Sequence, residues 1–485
     1  MLEDLKEACG IFGVYAPGED VARLTFYGLF ALQHRGQESA GIATADGERI
    51  YLRTGMGMVA QAFAEMDLLN LPGHIAIGHT RYSTTGSNRP QNAQPIMVRG
   101  HNGELALGHN GNLVNAQILR HDLEEQDYVF TSSTDSEIIA HLLASAPSAD
   151  WRQRFAYLMR RIEGAYCLVI LTPRALMAVR DPMGVRPLVL GRVDGGWVVA
   201  SETCALDHMG AKLVREVEPG EVIFIDEGGP QSFRPIERRK HAFCIFEQIY
   251  FARPDSIIHG KLLYPVRMAM GRELAREHPV DADLVIGIPD SATAAAVGYS
   301  HESGIPYAEG LVKNRYVGRT FIQPDQRLRE MGVQLKFNPL RELIEGKRLV
   351  LVDDSIVRGT TTPHVVELLR RAGAEAIHIR VCAPPIRHPC YFGIDMATRW
   401  ELIAAQKTVE QIRRHIGADS LGYLSIEGLL RAVELPRDGF CLACFTGRYP
   451  VPVQLQMDKL AFEQPAETAP AAVAAGGEDL QGRVS

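Results

Sequence analysis

No apolar run in the chain approaches the roughly 18 residues that a membrane-spanning helix needs. Nor is there a basic excess: 51 Lys and Arg stand against 58 Asp and Glu, for a net charge of −7. That balance excludes a general nucleic-acid binder, whose surface should be basic. The opening stretch MLEDLKEA holds acids and a lysine but no apolar core, so it does not read as a secretory signal. No solenoid-type repeat is visible. These absences together point to a cytoplasmic protein. Cysteine is scarce, at eight in 485 residues, and cytoplasmic thiols stay reduced. Catalysis and metal binding therefore come before disulfides as roles for them.

What is present is ordinary for a globular protein, with 46% hydrophobic and 22% charged residues. The length suits two or three domains. From residue 9 to about 235, short strand-like runs such as "CGIFGVYA", "HIAIGHTRYS", "ELALGHNGNLV" and "AYCLVILT" are separated by Gly and Asn turns. Helical patterns interrupt them at "VARLTFYGLFALQHRG" and "DSEIIAHLLASA". This predicts an α+β or layered αββα unit over 9–240. Over 241–450, continuous apolar strands alternate with helices, as in "DLVIGIPDSATAAAVGYS" and "RLVLVDDSIVRGTTTPHVVELLRRAG". That pattern predicts a mostly parallel α/β sheet covered on both faces. Residues 451–485 form a tail rich in Ala, Pro, Gly and Glu, with disorder expected beyond about 462.

The strongest local signal is "RLVLVDDSIVRGTTT". A buried strand ends at Asp353 and Asp354, where open α/β sheets bind ligands. Ser355, Arg358, Gly359, Thr360 and Thr361 then lead into a helix. Gly359 and the hydroxyls let backbone N–H groups approach an anion, and the helix dipole favours it. A helix cap alone needs only one such acid. The acidic pair suits sugar hydroxyls or Mg²⁺ beside the phosphate. This segment resembles the phosphoribosyl pyrophosphate (PRPP) loop of type I phosphoribosyltransferases. The resemblance implies that Asp353 and Asp354 take the ribose and Mg²⁺, and that Ser355 to Thr361 take the 5′-phosphate. "IPDSA" is similar to the family's pyrophosphate loop, which implies Ser291 near the metal. "KNRYVGRTFIQP" resembles its mobile loop, with cations at Lys313, Arg315 and Arg319 and a hinge at Gly318.

The first half carries a candidate nucleophile. As an internal residue Cys9 has no evident base beside it. Without the first eight residues it would own a free α-amine, whose ordinary pKa of about 7.7 to 8 lets it act as a base near neutrality. Such an amine can activate the side chain of its own residue. "HTRYSTTG" offers Arg81 for a carboxylate, "SSTDSE" offers Asp135 for an ammonium group, and "GHNGNL" offers Asn110 and the Gly111 N–H as an oxyanion hole. Taken alone, Asn110 and Gly111 fit a hairpin turn, Asp135 a helix cap, and Cys9 an inert strand cysteine. Together, an amide-cleaving nucleophile with a carboxylate clamp and an ammonium partner describes glutamine. "ACGIFGVY", "LQHRGQESAGI", "HTRYSTTG", "GHNGNLVN" and "SSTDSE" resemble, in order, the N-terminal-nucleophile (class II) glutamine amidotransferases. The resemblance implies the Ntn αββα sandwich, with Cys9 as nucleophile and Arg81, Thr84 and Asp135 holding glutamine.

A class II glutaminase joined to a PRPP site resembles the amidophosphoribosyltransferase family over residues 1 to about 450. The resemblance implies glutamine and PRPP as substrates and ammonia passing between sites. It also implies phosphoribosylamine as product, purine nucleotides as feedback inhibitors and a homotetramer. One branch of the family has a propeptide, which MLEDLKEA resembles, although Ala8 stands where an acid is expected. That branch carries a 4Fe-4S cluster. "CLAC" supplies Cys441 and Cys444 at a spacing used by Zn and Fe–S sites. By resemblance of context Cys244 and Cys390 complete the ligand set, with zinc on the same four thiolates as the alternative. Cys167, Cys204 and Cys382 fall in apolar strand patterns and read as core. Two rival functions are another class II amidotransferase, which would lack "VDDSIVRGTT", and a PRPP-binding regulator, which would not need Cys9, Arg81, Asn110 and Asp135 together.

A mass measurement tests the leader. Active protein should lack MLEDLKEA and begin at Cys9; full activity in a chain that keeps the leader would refute this.

Overall fold

The computed structural model describes residues 9–83, 85–237, 239–314, 337–396, 398–453 and 462–463. Among these residues no helix is long and apolar enough to cross a membrane.

The first half is built on two stacked antiparallel sheets. One has seven strands, with Gly10–Tyr15 between Gly196–Ala200 and Ile75–Arg81, and with Ser39–Ala45 beyond Ile75–Arg81. The other has six, with Gly103–Leu113 paired to Gly164–Leu171 near its centre. Strand alternation assigns the faces. Ile11 and Tyr15 point between the sheets, where they meet Cys167, Val169 and Leu171. Phe12 and Val14 point the other way, onto helix Val21–Ala31. Tyr166, Leu168 and Ile170 likewise meet helices Asp135–Ala144 and Trp151–Arg161. The result is the expected αββα sandwich.

The second half centres on four parallel strands in sequential order: Leu284–Gly287, Arg348–Asp353, Ala376–Val381 and Ser420–Tyr423. Both faces are covered, as their continuous apolar sequences require. Helices Leu263–Glu277 and Thr293–Ser303 bury Val285 and Val350 on one side. Helices Thr361–Arg371 and Val409–Ile416 bury Leu349, Leu351 and Ile379 on the other. Cys167 and Cys382 are buried as expected, whereas Cys204 sits on helix Thr203–His208 and not on a strand. Its apolar neighbours gave a strand-like pattern because that short helix is buried over most of its length.

A buried charge network joins the halves. Arg35 donates to Glu202 and, at 2.5 Å, to Glu247. Arg186 donates to Glu247 at 3.1 Å and to the Phe392 carbonyl at 2.9 Å. Glu202 also accepts from the Arg253 N–H at 2.8 Å and the Ser256 hydroxyl at 2.6 Å. The side chains of Arg35, Arg186, Glu202 and Glu247 are at most 1% exposed. Burying such charges is tolerated only because each is paired and hydrogen-bonded.

Glu247→Gln keeps the shape and removes a charge, leaving Arg35 and Arg186 facing each other. Removing one partner of a buried pair costs about 3 to 5 kcal/mol, so the urea midpoint should fall; an unchanged midpoint would show that charge does not hold this seam. Burial alone would raise the Glu202 carboxyl, but the Arg35 charge and the His34 and Ser256 hydrogen bonds outweigh it and hold it well below its ordinary value. Its contribution is therefore present above the ordinary carboxylate range and is lost as pH falls below it.

Candidate functional site

Cys9 lies at the entry to strand Gly10–Tyr15, whose partner strand ends at Arg81. Its sulfur is 3.3 Å from the Tyr82 carbonyl and accepts the Tyr82 N–H at 3.4 Å. Burial pushes the thiol up to about 11, and the Arg81 charge only partly offsets this. Arg81 is itself buried; its guanidinium donates to the Ser87 carbonyl at 3.1 Å and the Thr85 carbonyl at 3.2 Å. Glu38 and Asp135 are the acids whose fields reach both Cys9 and Arg81.

Asn110 and Gly111 come from the opposite sheet, on strand Gly103–Leu113. Among the described residues neither amide atom of Asn110 has a hydrogen-bond partner, although the residue is wholly buried. An unpaired buried amide is costly, and a ligand oxygen would satisfy it. At Gly111 (φ +153°) a Cβ would lie 1.9 Å from the Ala165 carbonyl oxygen, so only glycine fits. Asp135 is the first residue of its helix, after N-cap Thr134, and does not cap it. Its carboxylate accepts the Leu113 N–H at 2.9 Å, which fixes it to the Asn110 strand. Thr84 lies outside the described residues.

A loop from the second half lies against this strand. The Asn112 side chain donates to the Tyr391 carbonyl at 3.2 Å. Gly393 (φ +95°) approaches so closely that a Cβ there would be 2.9 Å from the Gly111 carbonyl.

The phosphate-site residues gather at the C-terminal edge of the parallel sheet. Asp353 ends strand Arg348–Asp353 and accepts the Asp354 N–H at 2.9 Å; the Ser355 hydroxyl donates to Asp354 at 2.6 Å. The buried Arg267 guanidinium lies in the field of Asp354. Helix Thr361–Arg371 begins just beyond, and the Gly359 carbonyl meets the His415 ring at 3.2 Å. Ser291 follows the adjacent strand, paired Gly287 to Val352, so its loop shares the same edge. Lys313 reaches that loop through Asp290 at 3.3 Å. Arg358 pairs with Glu401 at 2.7 Å. Arg315, Gly318 and Arg319 lie outside the described residues.

Strands Phe243–Cys244 and Phe440–Cys441 are parallel and in register, with Cys244 opposite Cys441. The Cys444 carbonyl accepts the Arg387 and His388 N–H groups at 2.9 and 3.0 Å, which brings the Cys390 segment alongside. The Cys390 sulfur accepts the Phe392 N–H at 3.4 Å. Burial raises all four thiols, and the field of Cys390 reaches Cys244, Cys441 and Cys444. Among the described residues no three His, Cys, Asp or Glu side chains converge on one ion-sized point.

Sequence reasoning did not single out Glu38, although "LQHRGQESAGI" contains it. It accepts the Ser83 N–H at 2.9 Å and so holds the chain next to Arg81. It also missed Arg35, Arg186, Glu202, Glu247 and Glu463, whose partners are remote in sequence.

Two family models match the chain: a glutamine amidotransferase domain over residues 79–208 and a phosphoribosyl transferase domain over 268–399. An amidophosphoribosyltransferase of Synechococcus elongatus is 51% identical over 466 residues, covering 94% of each chain. That of Mycobacterium tuberculosis is 51% identical, covering 93% of this chain and 88% of the relative. Among solved structures, the glutamine PRPP amidotransferase of B. subtilis, complexed with ADP and GMP, is 46% identical. It has a TM-score of 0.87 and covers 93% of this chain and 98% of its own. A structure of the allosteric regulatory enzyme of purine biosynthesis gives 46% identity and a TM-score of 0.88, covering 93% and 97%. Similarity of this degree spans both sites and the seam between them, so the chain belongs to the amidophosphoribosyltransferase family.

Proposed function

We propose that the protein performs the first step of de novo purine synthesis. Glutamine is hydrolysed at Cys9, and its ammonia displaces pyrophosphate from PRPP to give 5-phosphoribosylamine. The observation that carries this reading is the juxtaposition of a buried nucleophile, a carboxylate clamp and an unpaired amide, with a loop of the second half seated on the same strand. Residues 9–240 form the glutaminase unit, 241–450 the transferase unit and 451–485 a tail.

Arg81 binds the α-carboxylate of glutamine and Asp135 its ammonium group. With the leader present the Cys9 nitrogen is an amide and cannot take a proton. A thiol at about 11 then stays neutral and inert. Removal of residues 1–8 frees an amine that accepts the thiol proton. The thiolate adds to the amide carbon, and the oxyanion is met by the Asn110 side chain and the Gly111 N–H. The Cys9 ammonium returns its proton to the departing nitrogen, ammonia leaves, and water hydrolyses the thioester to glutamate and regenerates the thiol. The ammonia must remain neutral and dry, since ammonium is no nucleophile.

In the transferase unit, Ser355, Arg358, Gly359, Thr360 and Thr361 hold the 5′-phosphate at a helix N-terminus. Asp353 and Asp354 hold the ribose hydroxyls, and Lys313 and Arg319 supply cations to the pyrophosphate. Ser291, Asp353 and Asp354 present oxygen donors of the kind Mg²⁺ takes. Bound with PRPP, Mg²⁺ would neutralise charge on the departing pyrophosphate.

Cys244, Cys390, Cys441 and Cys444 would hold a 4Fe-4S cluster, whose chemistry here is structural. The in-register pairing of Cys244 with Cys441 and the hydrogen bonds that lay the Cys390 segment beside Cys444 support thiolate ligation by these four residues, with zinc as the alternative. Purine nucleotides, as in the B. subtilis complex with ADP and GMP, are proposed as inhibitors. A homotetramer and a cytoplasmic location complete the reading.

Glutamate release separates the two half-reactions. Cys9→Ala should lower it by more than about 10³-fold, while pyrophosphate release driven by added ammonia persists. No glutamate from the parent, or unchanged release by the variant, would overturn the function. Anaerobically purified protein should also contain iron and inorganic sulfide near four each per chain; values near zero would remove the cluster.

A further inference from the structure

Two tail residues lie against the first half of the chain, although the transferase unit precedes them in sequence. The Glu463 carboxylate accepts a short hydrogen bond from the Ser87 N–H and another, at 2.8 Å, from the Ser133 hydroxyl. Its second oxygen is 3.8 Å from the Arg89 guanidinium, and the side chain is only 11% exposed. These donors hold the carboxyl below its ordinary value against the opposing effect of burial. Phe462 packs on the apolar cluster under helix Asp135–Ala144. Its ring lies 4.8 Å from the Arg120 guanidinium, which is also 4.3 Å from Phe130.

The groups that Glu463 touches support the glutamine pocket from two sides. The Ser87 carbonyl accepts from Arg81 at 3.1 Å and from Asn92 at 2.9 Å. Ser133 stands two residues before Asp135 and exchanges hydrogen bonds with the Asn92 amide at 2.8 and 2.9 Å. Arg120 donates to the Ser132 carbonyl at 3.0 Å. One carboxylate therefore ties the turn that clasps Arg81 to the turn that carries Asp135.

We propose that Glu463, anchored by Phe462, is a positioning residue of the glutaminase site that acts through Ser87 and Ser133 to fix the spacing of Arg81 and Asp135. It touches neither glutamine nor Cys9. The fixed spacing is what a substrate with an α-carboxylate and an α-ammonium group requires. Phe462 and Glu463 thereby belong to the glutamine-binding unit, although they follow the transferase unit in sequence.

This inference rests on the proposed glutaminase reading, and the test separates the two. Glu463→Ala and Phe462→Ala in the full chain should each raise the KM for glutamine. The expected rise for Glu463→Ala is about tenfold, the worth of one hydrogen bond to a charged group. The ammonia-driven reaction and the thermal midpoint should stay unchanged. Glutamate release by the parent, lost in Cys9→Ala, checks the underlying reading. If that control holds and KM is unmoved in both variants, the positioning role alone fails. A lowered KM would overturn it in favour of a tail that obstructs glutamine, and parallel losses in the ammonia-driven reaction would reduce it to general stability.

Discussion

The seam between the two halves depends on four charged side chains withdrawn from water. Arg35 and Arg186 converge on Glu247, and Glu202 neutralises Arg35 from the other side. Each charge would be expensive alone, and the arrangement persists because every one is paired. Its reach exceeds its size. Arg35 follows the helix that backs the Cys9 strand, and Arg186 grips the Phe392 carbonyl in the loop that touches Gly111. The network therefore fixes the second half against the strand that carries Asn110 and Gly111.

The glutaminase site illustrates why two sheets are needed. A single antiparallel sheet cannot bring a nucleophile and its oxyanion donors face to face, because neighbouring side chains on one face lie side by side. Cys9 and Arg81 come from one sheet and Asn110 and Gly111 from the other, with the apolar layer of Ile11, Val169 and Leu171 setting their separation. Dry surroundings keep the oxyanion interaction strong, yet the same dryness raises the Cys9 thiol. In the proposed mechanism the nucleophile therefore depends on its own α-amine, which ties activity to removal of the leader.

Much of this was legible because the functional segments are local. A strand followed by two acids, a glycine turn and a helix reads as a ligand site from consecutive residues. The run after residue 9 gives its alternation directly. The seam was not legible, since Arg35 lies 167 and 212 residues from the acids it meets. Glu247 stands in the apolar run "FCIFEQIYF", which marks a buried acid, but nothing local shows which cations it meets. Cys204 misled for a related reason: a short helix with its first four residues buried shows too little polar face to mark a helical period. Glu463 was hidden by composition, because an Ala- and Pro-rich tail gives no sign that one carboxylate within it finds buried donors.

The cysteine quartet acquires its meaning from what lies beside it. Cys390 begins the loop whose carbonyls at Tyr391 and Phe392 are held by Asn112 and Arg186, and whose Gly393 rests on Gly111. Cys244 lies three residues before Glu247, the acid at the centre of the seam. Any group that fixes Cys244 and Cys390 relative to each other therefore fixes both ends of the contact between the halves. A tie of this kind resists separation without adding apolar area.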